Sequence, residues 1–136
     1  MFHEPDVHRV QLNPRAITAA EGNPVVRGKI LYVSEDRKIT HGVWESTPGV
    51  FDMTFAQDDS GCVLSGNADA VLEDGVVVTL NAGTLYTFRA GTKLRLIVRS
   101  TWRKLFFNYY PRGTDLKAGY LAAAPALVYL SPRSQT

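Results

Sequence analysis

From Val25 to Tyr110 the chain runs in short stretches of apolar residues, most of them closed by a polar or glycine-bearing turn. In Val50–Phe55, Phe51, Met53 and Phe55 fall on one side and Asp52 and Thr54 on the other, the two-residue period of a strand with one buried face. Lys93–Val98 repeats the pattern, with Leu94, Leu96 and Val98 opposite Arg95 and Ile97. Val25–Val33, Ile39–Ser46, Leu85–Phe88 and Trp102–Tyr110 are further strand candidates. Ala68–Leu72 and Val76–Leu80 flank Asp74-Gly75, which predicts a hairpin, because glycine accepts the positive φ of a tight primed turn. Ala56–Gly61, "AQDDSG", reads as a loop, and Cys62–Leu64 as a short apolar piece.

These stretches predict roughly eight or nine short strands at the spacing of sandwiches and small barrels. No helical period appears before Thr114. The expected organisation is an N-terminal arm over residues 1–24, a β-barrel over 25–112 and a helical or extended appendage over 113–136. In the arm, Ala16–Ala20 reads as a short extended or helical piece and "EGNP" as a turn. In the appendage, Asp115 is placed to cap one or two helical turns, Pro125 to stop them, and Ala126–Leu130 to extend as an edge strand.

Composition narrows the class. A chain of 136 residues fits one domain, and 45% apolar with 21% charged residues describes a globular one. The single Cys62 excludes an intrachain disulfide and a cysteine-based zinc cage. The opening "MFHEPDVHRVQLN" is mixed and polar, and the apolar run Ala118–Leu130 is too short to cross a bilayer as a helix. A reduced, cytoplasmic setting without a membrane is therefore expected. Net charge is only +2, and the basic residues from Arg89 to Lys104 are interleaved with Ile97 and carry no RNA-recognition motif, so no nucleic-acid partner is expected.

Gly49–Gly66 and Gly83–Val98 resemble the two motifs of the cupin superfamily of RmlC-like jelly rolls. "GVWESTPGVFDMTF", "NAGTLYTFRAGTK" and "WRKLFF" resemble most the subfamily of ureidoglycine aminohydrolase-like and ethanolamine-utilisation-like domains, over roughly residues 40–110. The resemblance implies an all-β fold, a single antiparallel cupin barrel, and a homodimer paired through outer sheets. Exposed sheet edges supply a physical motive for pairing. In metal-dependent cupins two histidines and a glutamate of the first motif and a histidine of the second hold the metal. Here the glutamate position falls on Asp59. The paired histidine positions fall on Asp52 and Thr54, or on Met53 and Phe55. The second-motif proline falls on Arg89, its histidine on Leu94, and the asparagine that often follows on Val98. His3, His8 and His41 all precede the motifs. The expectation is a barrel without metal or cofactor.

The expected pocket is Trp44, Phe51, Met53, Phe55, Asp59, Arg89, Leu94, Leu96 and Trp102, either open to a flat or aliphatic ligand or simply filled by its own side chains. Asp59 is a candidate acid or base, or an ordinary turn residue. Arg89 is a candidate anion fork, or a partner for Asp58 or Asp59. Tyr109 is a candidate hydroxyl donor or rim residue, and Glu45 with Lys104 a candidate ion pair. Three functions remain open: binding of a small anionic or sugar-like metabolite, acid–base catalysis on a nitrogenous or carbohydrate metabolite, and structural dimerisation around a filled lumen.

Overall fold

The computed structural model describes residues 6–115. Ten strands run β1 (Asn13–Arg15), β2 (Val26–Val33), β3 (Ile39–Ser46), β4 (Gly49–Thr54), β5 (Asp58–Ser65), β6 (Ala68–Leu72), β7 (Val77–Thr79), β8 (Leu85–Phe88), β9 (Lys93–Val98) and β10 (Trp102–Tyr109). They form a six-stranded sheet in the order β1-β2-β3-β10-β5-β8 and a four-stranded sheet in the order β4-β9-β6-β7, with every pairing antiparallel. The inner faces of both sheets share one hydrophobic core. This is the all-β jelly-roll arrangement that the resemblance implies, but its two sheets face each other as a sandwich and do not join into a closed barrel. No helix among the described residues is long and apolar enough to cross a membrane.

The alternation seen in the sequence decides which side chains meet. Phe51, Met53 and Phe55 are buried, as are Leu94, Leu96 and Val98 opposite them on β9, while Asp52 and Arg95 pair on the outer face through two hydrogen bonds of 2.8 and 3.0 Å. The "EDG" turn joins β6 to β7 as a hairpin, with Gly75 at φ 88°. Across the large sheet one inner row reads Ile30, Gly42, Phe106, Gly61, Tyr86. The glycines make room for the rings: a Cβ on Gly61 would lie 2.7 Å from the Tyr86 hydroxyl.

Two local readings change. Ala56–Gly61 is not a loop throughout: β5 begins at Asp58. Turn composition is overridden because each aspartate finds a donor once the strand forms. Asp58 accepts a hydrogen bond from the Ala90 N–H at 2.8 Å, and Asp59 from the Lys104 ammonium at 2.9 Å. In the arm the strand lies earlier than Ala16, at Asn13–Arg15, where it pairs with β2 and carries Pro14 on the outermost strand, the place a sheet tolerates proline. The appendage from residue 116 onward lies outside the described residues.

The arm also covers part of the large sheet's outer face. Arg103 donates to the carbonyls of Val7 and Val10 at 2.9 and 3.0 Å and to Glu45 at 3.1 Å, and Glu45 is also paired with Arg27. Val43 and Leu12 are consequently buried.

Candidate functional site

The interior is built from the side chains that alternation aims inward, and they fill it. Trp44 lies edge-on to Phe51 and to Trp102, with centroids 5.8 and 5.9 Å apart, and Phe55 stacks on Phe88 at 5.5 Å. The Trp102 indole N–H donates to the Leu80 carbonyl at 2.8 Å, so its one polar atom is satisfied in the core. Between Met53, Phe55, Tyr86, Leu94, Trp102 and the charged pair described next, a cavity of ≈ 10 Å³ is left, room for about one water.

The charged pair is Asp59 and Lys104. Asp59 is fully buried and Lys104 is 4% exposed, and the ammonium lies 2.9 Å from Asp59 Oδ2. Strand parity explains both placements. On β5, Asp59 shares the inner face with Gly61 and Val63; on β10, Lys104 shares it with Trp102, Phe106 and Asn108. The ammonium lies 5.4 Å from the ring centroid of Tyr86, 5.6 Å from Trp44, 5.7 Å from Trp102 and 6.0 Å from Phe106. Burial pushes the Asp59 carboxyl upward, and the Lys104 charge and hydrogen bond offset that only in part. Asp59 Oδ1 has no hydrogen-bond partner among the described residues, nor do the amide atoms of the fully buried Gln57. Nearby Tyr110 has its phenol pushed up to about 12, chiefly by burial, against the hydrogen bond that the Asn108 amide donates to it at 3.5 Å.

Of the residues the sequence suggested, Trp44, Phe51, Met53, Phe55, Asp59, Leu94, Leu96 and Trp102 come together inside the sandwich. Arg89 and Tyr109 do not. Arg89 is exposed in the turn after β8, and Tyr109 points outward because it sits one residue from the buried Asn108. Arg89 does not bridge to Asp58 or Asp59, whose partners are the Ala90 amide and Lys104. The Glu45–Lys104 pair is replaced by two others, because Glu45 and Lys104 lie on opposite faces of the sheet: Glu45 meets Arg27 and Arg103, and Lys104 meets Asp59. Lys104, which the sequence offered only as a partner for Glu45, is thus central. Its signal was parity with Trp102 and Phe106 along β10.

The side chains present do not suit the metal that many cupins hold. Asp52 and Thr54 point away from the interior, and the inward alternatives Met53, Phe55 and Leu94 offer a thioether and hydrocarbon. Among the described residues no three His, Cys, Asp or Glu side chains gather. The one carboxylate at the site already faces an ammonium, and a first-row divalent ion prefers imidazole or several carboxylates.

The comparisons with known proteins agree with the fold. No curated protein matches the chain. Among solved structures, the EutQ protein of Clostridium difficile is 26% identical with a TM-score of 0.57, over 63% of this chain and 68% of that one. A protein of unknown function from Pseudomonas syringae pv. tomato superposes with a TM-score of 0.68 at 20% identity, over 73% of this chain but only 44% of the other. A cupin 2 conserved barrel protein from Rhodopseudomonas palustris reaches 0.63 at 13% identity, over 82% and 81% of the two chains. At such identities the last two speak for the fold alone. The family model of the EutQ-like cupin domain matches residues 33–106, from the end of β2 to Phe106 in the middle of the inner row, which is more than half of the chain, and the chain therefore belongs to the EutQ-like cupin domain family.

Proposed function

We propose that this cupin domain is a self-association module: its interior is closed by its own side chains and its outer sheet meets a second copy. The observation that carries the reading is the filled lumen. A pocket for a metabolite of ordinary size needs roughly 300 Å³ or more, against the ≈ 10 Å³ left between Trp102, Lys104 and Asp59. A titratable pair does converge inside, yet among the described residues only about one water's room lies beside it.

The outer face offers what the interior lacks. Beyond the arm, Tyr32, His41 and Phe107 form a row across β2, β3 and β10, with ring centroids 5.0 and 4.5 Å apart. Ser60 and Thr87 continue the row, joined by a 2.9 Å hydrogen bond. Ile39, Leu85 and Tyr109 are exposed around it, and a shallow cleft of ≈ 370 Å³ lies between Phe107, Leu85 and Tyr86. Burial lowers the His41 pKa, so the row is uncharged at neutral pH. A flat uncharged row meets its own copy across a two-fold axis without setting like charges together, whereas a charged partner would gain nothing from it. Exposed apolar patches of this kind mark interaction sites.

Sedimentation velocity of the full chain tests the reading. The wild type should sediment as a dimer at micromolar concentration, and Phe107→Glu as a folded monomer. A wild type that stays monomeric throughout rejects it. A thermal-shift screen of small anionic and sugar-like metabolites separates the competing reading, since a ligand held in the lumen must raise the melting temperature. No such rise is expected.

A further inference from the structure

We propose that the Lys104 ammonium is the resident cation of this interior, and that the chamber around it is a receptor for a primary alkylammonium, occupied from within by the chain's own side chain. The inference is independent of whether the outer face pairs.

Three observations on the same few residues support it. The first is chemical. Four aromatic rings from three strands surround the Nζ at 5.4 to 6.0 Å: Trp44 on β3, Tyr86 on β8, and Trp102 and Phe106 on β10. Ring faces attract organic ammonium ions, the more so away from water, and supply no lone pair to coordinate a transition metal. The second is electrostatic. A single carboxylate, Asp59, closes the shell at 2.9 Å, and both members of the pair lie out of solvent. Taking an ammonium out of water is costly, and a lone carboxylate rarely offsets the cost. The rings supply the remaining attraction. The third is positional. Asp59 stands at the place the family pattern gives to a metal-binding glutamate, while the accompanying positions point outward as Asp52 and Thr54 or carry Met53, Phe55 and Leu94 inward. The interior thus holds one carboxylate among hydrocarbon and thioether groups, a set that suits an organic ammonium better than a metal ion. A lysine tethered to β10 supplies the positive charge without an exchangeable ion.

The test uses Lys104→Ala in the full chain, which deletes a propylammonium-sized fragment. Propylammonium chloride should raise its melting temperature in a concentration-dependent way. Propanol and potassium chloride at equal concentration should not, and the wild type should respond to none of them. Equal rescue by propanol, or no rescue of a folded variant, overturns the proposal: the chamber would then be a simple cavity and not a cation site. If Lys104→Ala does not fold, the wild type decides. In reductive methylation of the folded chain followed by peptide mass spectrometry, Lys29, Lys38 and Lys93 should be modified and Lys104 protected. Full modification of Lys104 would show that its ammonium leaves the chamber. Stoichiometric manganese, iron, nickel or zinc on the purified wild type would overturn the proposal equally.

Discussion

Arg103 and Lys104 are adjacent in sequence, nearly equally buried, and serve opposite sides of one strand. Lys104 points into the sandwich, where one carboxylate and four rings hold it. Arg103 points outward beneath the arm and spreads its guanidinium over the carbonyls of Val7 and Val10 and the carboxylate of Glu45. The chemistry of each cation fits its side. A planar fork with five donors can tie several acceptors from separate segments, while a compact ammonium fits inside a ring-lined chamber with one counter-charge. Among the described residues the interior cation therefore meets a single anion, and the outer one a distributed set.

That difference predicts unequal costs when the anions are removed. Asp59→Ala leaves a buried ammonium without a counter-ion and should lower stability by about 3–5 kcal/mol in urea unfolding. Glu45→Ala should cost distinctly less, because Arg103 keeps its two carbonyls. If the two variants lose the same amount, the contrast between the sites is wrong. Replacing both interior charges, Asp59→Leu with Lys104→Met, should recover most of the loss, since an apolar pair of similar volume often matches a buried ion pair. A double variant as unstable as Asp59→Ala alone would mean that shape, not charge, governs the chamber.

Arg103 sets the next scale down. Arg103→Ala releases the arm's carbonyl contacts and should cost about 2 kcal/mol, the range of charge-assisted hydrogen bonds. The loss should be local: amide exchange should rise over residues 7–15 and remain slow in β5 and β10. Faster exchange throughout the core would show that the guanidinium supports the sandwich itself and not mainly the arm.

The two sides of β10 were also unequally legible in the sequence. The inward rows of β4 and β9 follow from strict alternation, so Phe51, Met53, Phe55, Leu94 and Leu96 could be placed without coordinates. Asp59 could not. Its neighbours spell a turn, and the lysine that lets a strand carry it inward lies 45 residues away, a distance no local pattern spans. Lys104 was half legible: parity with Trp102 marks its side, but a lysine is almost never fully buried unless paired, and its partner is not local. On the outer face, Arg89 and Tyr109 were chosen for their chemistry, and the turn after β8 and the parity of β10 respectively keep them outside.

The smallest effect expected is a pH dependence that separates the two carboxylates by sign. Desolvation alone would raise the Glu45 pKa, but hydrogen bonds from Arg27 and Arg103 outweigh it and the net shift is downward from 4.5. Between its folded and unfolded pKa values the unfolded chain therefore binds more protons at this group, and stability rises with pH. The Glu45 contribution is complete above about pH 4.5, its unfolded value, and is lost as pH falls through the lower folded value. For Asp59 the shift is upward from 3.8, so its carboxyl contributes in the opposite sense: the folded chain binds the extra proton, and stability attributable to this group falls as pH rises from 3.8. Urea midpoints of the wild type and Glu45→Gln, taken from pH 3 to pH 7, isolate the first effect. The variant should lose less stability than the wild type on acidification, by about 1 kcal/mol, because one of the two partners of Glu45, Arg27, is half exposed on the sheet's outer face. Parallel curves would mean that Arg27 and Arg103 hold Glu45 no more tightly than water does, and the outer network would then be fastened through the arm's carbonyls alone.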